Sequence, residues 1–130
     1  MMKHGYGAQN YLRTQVEAAT PVELVVLLYD AALRSADAAH DALVARDIHA
    51  RRPAISKLMD IIAELQANLD MERGGTVAAE LDRLYTYMIS RLLTAVSDQD
   101  PKPVDEVRRI LRTIAEAWRH IATVSEKKSA

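Results

Sequence analysis

Apolar side chains recur three and four positions apart in four successive segments, and this spacing is what most limits how the chain can fold. Residues three, four and seven apart share one face of an α-helix. One segment carries Ile55, Leu58, Ile62, Leu65 and Leu69, and the next carries Val77, Leu81, Leu84, Met88 and Leu92. The last carries Val104, Val107, Leu111, Ile114, Trp118 and Ile121. Breaks fall between them: Gly74-Gly75, and the run Asp98-Gln99-Asp100-Pro101-Lys102-Pro103 with Asp98 or Asp100 as a cap. No stretch alternates as a strand would. Four amphipathic segments joined by short loops predict an all-α, antiparallel four-helix bundle.

Helix bounds follow from the capping residues. Thr20 reads as an N-cap, Pro21 as the first helical residue and Glu23 as the capping-box partner. Helix one is then expected over about 21–46. Pro53 would kink a helix interior, so helix two is expected over about 50–72, with Gly74-Gly75 ending it. The third and fourth helices are expected over about 76–97 and 101–124. Residues 126–130 read as a frayed polar tail. Residues 1–19 read as a flexible segment outside the bundle, which occupies residues 20–125.

The first helix differs from the other three. From Leu24 to Tyr29 every residue is apolar or aromatic. Glu23, Asp30, Arg34, Asp37 and Asp41 mark its solvent stripe, while Leu24, Leu28, Ala31 and Ser35 with Val25, Tyr29, Ala32 and Ala36 serve the bundle side. Leu27 falls on the solvent stripe and Val26 beside it. Either the preceding segment folds back over them, with Tyr11, Leu12 and Val16 as contacts, or a partner covers them. Both hold if the segment is a removable cover. Tyr6 and Tyr11 among glycines and polar residues would be anchors on a tether. A few buried side chains at about 1.5–3 kcal/mol each barely offset the entropy of ordering such a segment.

Chemistry is sparse. The formal net charge is −1 across 130 residues, with no basic stripe of the kind a nucleic-acid binder shows. Cysteine is absent, so there is neither a disulfide framework nor a thiol nucleophile. Residues 1–11 lack the apolar core of a signal peptide, and the longest apolar run is far short of a bilayer span. The chain therefore reads as cytoplasmic, without stable membrane association. Asp37-Ala38-Ala39-His40 is the nearest approach to a di-iron Glu-x-x-His pair and has no second copy. His120 lies four after Glu116, the spacing of a solvated helical pair. Neither a phosphate loop nor a G-x-S-x-G nucleophile is present. No cofactor, metal or catalytic residue is expected. One of Tyr85 and Tyr87 belongs in the core and the other at a groove or in water, since they point to different faces. Trp118 reads as a core anchor.

Tyr11, Val16, Ala19-Thr20-Pro21, Leu24 and Leu28-Tyr29-Asp30, in that order, resemble the opening motif of the flagellin-specific export chaperone family, FliS. Leu69-Asp70-Met71-Glu72 with Gly74-Gly75 is similar to its second corner. Leu81, Leu84-Tyr85 and Tyr87-Met88 resemble its third helix, and Glu106-Val107 with Ala117-Trp118 its fourth. The likeness covers about Tyr11 to Ile121. Ala18 stands where the family often has threonine and Ala31 where it usually has glycine, and Pro53 is unusual. The resemblance implies a chaperone, not an enzyme, that binds the disordered C-terminal segment of flagellin and prevents its polymerisation. It further implies delivery of flagellin to the flagellar type III export gate, contact with other flagellar regulators, and an N-terminal segment that moves aside for cargo. Taken with the apolar surplus, it assigns partner binding to Tyr11, Val16, Leu24, Val26, Leu27, Tyr29 and Tyr87. The alternative is a helical-bundle interaction protein that self-associates through the apolar patch on helix one.

Overall fold

The computed structural model describes residues 19–129, with side chains as far as Ser125. The expected capping segment, with Tyr6, Tyr11, Leu12 and Val16, lies outside the described residues. Four helices follow one another: α1 (Pro21–Val44), α2 (Ile48–Ala67), α3 (Met71–Asp98) and α4 (Lys102–Ser129). No strand occurs among the described residues. Loops this short force successive helices to run antiparallel. Each helix packs on its two neighbours around a closed ring, so α1 faces α3 across the bundle. This is the expected four-helix bundle.

Short polar side chains set the corners. The Thr20 hydroxyl accepts from the Glu23 backbone N–H at 3.2 Å, and Pro21 opens the helix. At the end of α1, Arg46 adopts a left-handed conformation (φ 56). There Asp47 N–H donates to the Ala42 carbonyl at 2.9 Å and Arg46 N–H to that of Leu43 at 3.2 Å, a Schellman closure without the usual glycine. Asp47 then caps α2, its carboxylate accepting from Ala50 N–H at 3.1 Å. One residue closes one helix and opens the next. That is why α1 stops before Arg46 and α2 starts ahead of Ala50, leaving Pro53 inside the helix. There the missing N–H removes one helical bond.

The second corner also departs from expectation. Helix α2 ends at Ala67, where the Asn68 amide turns back to donate to the Glu64 carbonyl at 2.9 Å. Asp70 caps α3 by accepting from Arg73 N–H at 3.1 Å. One helical turn follows before the chain breaks at Gly75 (φ 51, ψ −128), a conformation closed to residues with a Cβ. So Gly74-Gly75 kinks α3 near its start and does not end α2. Asp100 caps the last corner by accepting from Lys102 N–H at 3.0 Å. Helix α4 continues to Ser129, past the expected end, through Glu and Lys residues that favour helix.

The core is unevenly built. Helix α1 contributes Ala32, Ser35, Ala36, Ala39 and Ala42, all buried, with Tyr29 and Leu43 at either end. Small side chains let backbones approach, and α1 makes its closest and most extensive packing with α2 and α4. Helix α3 brings Tyr85, Met88 and Leu92, and its packing on α2 and α4 is much sparser. Val77, expected in the core, is 68% exposed, and Ala78 takes its place at 4%. Leu84 is only partly buried and Ile121 is exposed.

The alanine seam yields a prediction. Ala36→Leu, fully buried between close helices, should cost about 1–3 kcal/mol, whereas Ala38→Leu on the exposed face should stay within about 0.5 kcal/mol. Urea unfolding of the two variants measures this; equal costs would mean that α1 is not closely packed.

Candidate functional site: an apolar groove where helix α1 begins

The ring order places the start of α1, the end of α2, the start of α3 and the second half of α4 at one end of the bundle. Because α3 stands off, an open groove of about 330 Å³ remains there. Its apolar walls are Val25 from α1, Leu65 and Leu69 at the end of α2, Val77, Ala78 and Leu81 from α3, and Trp118 from α4. Tyr85 forms part of its floor. Gly74 lies in the wall as well, so close to the next turn that a Cβ there would sit 2.5 Å from that of Ala78. The glycine pair therefore shapes the rim. The only charged lining groups among the described residues, Asp70 and Arg73, pair with each other at 3.7 Å.

Below the floor two tyrosines meet across the bundle. Their hydroxyls, from Tyr29 on α1 and Tyr85 on α3, lie 2.6 Å apart, and both residues are buried. Burial pushes the Tyr29 hydroxyl far above the ordinary tyrosine range, its bond with Tyr85 adds to this, and the Trp118 indole opposes it. Burial likewise raises Tyr85. Both remain neutral, and each satisfies the other in a place water does not reach.

The residues assigned to partner binding separate into four groups. Leu24, Val26 and Leu27 are half-buried and lie outside the core and the partly buried hydrophobics packed on it, whereas Val25 and Leu28 belong to the latter. Leu24 thus departs from its expected place beside Leu28. Tyr29 is 0% exposed and offers no surface to a partner; its place is beneath the groove. Tyr87 is 43% exposed, lies on the face between α3 and α4, and lines no part of the groove. Its hydroxyl donates to Glu106 at 2.8 Å, and Glu106 also accepts from Arg91 at 2.7 Å. The Tyr87 hydroxyl first, then Arg91, hold the Glu106 carboxyl below the usual carboxylate range. Tyr11 and Val16 lie outside the described residues.

Sequence reasoning assigned the groove walls to the core. Leu69, Val77, Leu81 and Trp118 all sit on an apolar period, and a period does not tell a filled interior from an open one. The available signal was Gly74-Gly75 just ahead of Val77. His40 is partly buried, its Nδ1 has no hydrogen-bond partner, and the Asp41 carboxylate stands 3.7 Å away. No cluster of three or more His, Asp or Glu suited to a metal ion occurs among the described residues. No helix among them is long and apolar enough to cross a membrane.

The chain matches the model of the family described as flagellar protein FliS over residues 2–125. It is 40% identical to the flagellar secretion chaperone FliS of Salmonella typhimurium, over 88% of this chain and 86% of that one. It is 37% identical to the flagellar secretion chaperone FliSB of Pseudomonas aeruginosa, over 82% and 85% of the two chains. Against the flagellar secretion chaperone FliS of Bacillus subtilis the identity is 30%, over 91% and 86%.

Two outcomes test this geometry. Tyr85→Phe strands the buried Tyr29 hydroxyl and should cost about 1–3 kcal/mol. Tyr29→Phe/Tyr85→Phe together should cost less than the sum of the single changes, and strict additivity in the denaturation cycle would refute the pairing. For Glu106 the folded carboxyl is held low. Its stabilising contribution is present above the ordinary carboxylate range and lost as pH falls through the folded value. Glu106→Gln should therefore flatten the acid limb of the stability curve, as read by urea midpoints at neutral and acid pH.

Proposed function

The chain belongs to the flagellar protein FliS family, and from that premise we propose that this flagellar export chaperone binds the disordered C-terminal segment of flagellin. The observation that carries the reading is the open apolar groove beside the start of α1. Leu24, Val26 and Leu27 present further apolar surface on the same turns of α1, outside the core. A helix-in-groove mode needs just this: a run of apolar surface that an amphipathic segment covers with residues three and four apart. The segment would gain helix as it binds, wrap the bundle along this surface, and be kept from polymerising in the cytosol.

The groove opens at the N-terminal end of α1, which residues 1–18 precede in sequence. In this reading they are the cover that cargo displaces, with Tyr11 and Val16 as its anchors. Coupled folding charges the ordering of cargo against the contact energy, so a large buried surface gives only moderate affinity. A chaperone that hands flagellin to the export gate requires such release. Tyr29 acts here by supporting the groove floor, and Tyr87 by fixing α3 to α4 beside Glu106.

Calorimetric titration with roughly 40 C-terminal residues of flagellin from the same organism, with circular dichroism of the mixture, should show one-to-one binding and a gain in helix. Val26→Ala/Leu27→Ala should weaken that binding by about tenfold or more with helix content unchanged. Unchanged affinity would remove these turns of α1 from the site. Absence of binding by the folded wild-type chain would reject flagellin as cargo. Sedimentation of the free chain distinguishes both results from self-association.

A further inference from the structure

At the opposite end of the bundle lies a second groove, of about 670 Å³, between the start of α2 and the end of α3. Ile48, Ile55, Met59 and Val96 supply its apolar lining. Ile48 is 62% exposed and Val96 40%, and Val44 and Leu93 are exposed at the same end of the bundle. The charged lining is one-sided: Arg51 and Arg52 are present, and among the described residues no carboxylate lines the groove. Arg46 stands alongside, sharing an adjoining hollow with Ile48, Arg51 and one carboxylate, Asp98, which forms no ion pair with either arginine. Arg46, Arg51 and Arg52 enter no ion pair among the described residues. Arg91, Arg108 and Arg119, by contrast, are each tied to a carboxylate on a neighbouring helix.

Unpaired guanidinium groups beside exposed apolar side chains restrict what can cover this groove. A purely apolar partner would desolvate Arg51 and Arg52 without compensation, a heavy cost. A second copy related by a two-fold axis would bring its own Arg51 and Arg52 against these. The chain's outlying segments are also basic in balance. Residues 1–18 hold Lys3 and Arg13 against Glu17 alone, and residues 126–130 hold Lys127 and Lys128 against Glu126. What remains is a segment from another protein that joins apolar residues to carboxylates. From Ile48 to Met59 the α2 wall spans about 17 Å at the helical rise, the length of about three turns of a docked helix.

We propose that this groove is a second docking surface, which takes an acidic amphipathic helix of a protein other than the cargo. Its apolar face would meet Ile48, Met59 and Val96, and its flanking carboxylates would pair with Arg51 and Arg52. The inference stands on charge and shape at this end and does not depend on the cargo reading.

The test uses the whole chain and two fluorescent synthetic helical peptides of about 14 residues, with leucines three and four apart. One is flanked by glutamates and the other, otherwise identical, by lysines. Fluorescence anisotropy should show the glutamate peptide binding about tenfold or more tighter, with a lead that shrinks as salt rises. Arg51→Glu/Arg52→Glu should reverse the preference. If that variant fails to fold by circular dichroism, Arg51→Gln/Arg52→Gln should abolish the preference instead. Prior loading with the flagellin segment should leave the glutamate peptide's affinity unchanged. Equal binding of the two peptides, or no effect of the arginine changes, would overturn the proposal. Displacement by the flagellin segment would also overturn it, making the groove a continuation of the cargo track. So would loss of a dimer in the arginine variant by sedimentation, which would assign the surface to a second copy.

Discussion

The alanine-lined face of α1 is the constraint on which the rest of this bundle depends. Ala32, Ala36 and Ala39 are fully buried and bring α2 and α4 close to α1. A ring of four helices with two close contacts at one corner cannot also be close at the opposite corner unless its side chains shrink there too. They do not: α3 brings Tyr85, Met88 and Leu92 to the interior. Helix α3 is therefore held at a distance, and both grooves lie along it. One opens where α3 begins and the other where it ends. Small residues on one helix thus create concave surface on the far side of the molecule.

A helix that stands off needs fixing by something other than close packing, and here polar groups do it. The hydroxyl bond between Tyr29 and Tyr85 spans the bundle interior. Gln66 on α2 donates to the Asp82 carboxylate and to Thr86 on α3, each at 2.9 Å. Glu106 on α4 receives Tyr87 and Arg91 from α3. Exposed bonds of this kind are individually weak, but they are directional, and they fix the height and rotation of α3. The better-packed α1–α4 pair carries Arg108 with Asp37, at 3.1 Å, and Arg119 with Asp30. There the ions add register to a contact that packing already secures.

The period of large apolar residues was enough to read the architecture, and for α2 it was enough to read the core: Ile55, Leu58, Ile62 and Leu65 are all buried. It misled in α3. The buried stripe there runs Ala78, Tyr85, Met88, Leu92, Ala95, and the eye passes over alanine in favour of Val77. Ala39 and Ala42 on α1, both buried, were passed over for the same reason, whereas Ala32 and Ala36 were placed on the bundle side. The contribution of alanine is the distance it permits, which no hydrophobicity value expresses. Corners were legible in kind and displaced in position, because aspartates at 47 and 70 cap helices earlier than the prolines and glycines nearby suggest. The surplus at Val26 and Leu27 lies at the end of the molecule where the first groove opens. The groove itself could not be read, since an apolar lining and an apolar core obey the same spacing.

A groove of this kind sets stability against function. Leu69, Val77 and Trp118 would be more stable if α3 closed on them, because every exposed apolar surface forgoes burial energy. Two features prevent closure. The backbone at Gly75 leaves the helical region and takes a conformation that only glycine adopts freely, which redirects the first turn of α3. The tyrosine pair resists as well, since moving α3 inward or sliding it would misalign two buried hydroxyls that meet at 2.6 Å. The free chain is thus held slightly away from its best-packed arrangement by local geometry, and a bound segment can supply the missing contacts. Natural proteins sit just above their stability threshold, so a deficit of this kind draws on a small reserve. This deficit lies at the end of the bundle where α1 begins, which is the end at which the proposed cargo would dock.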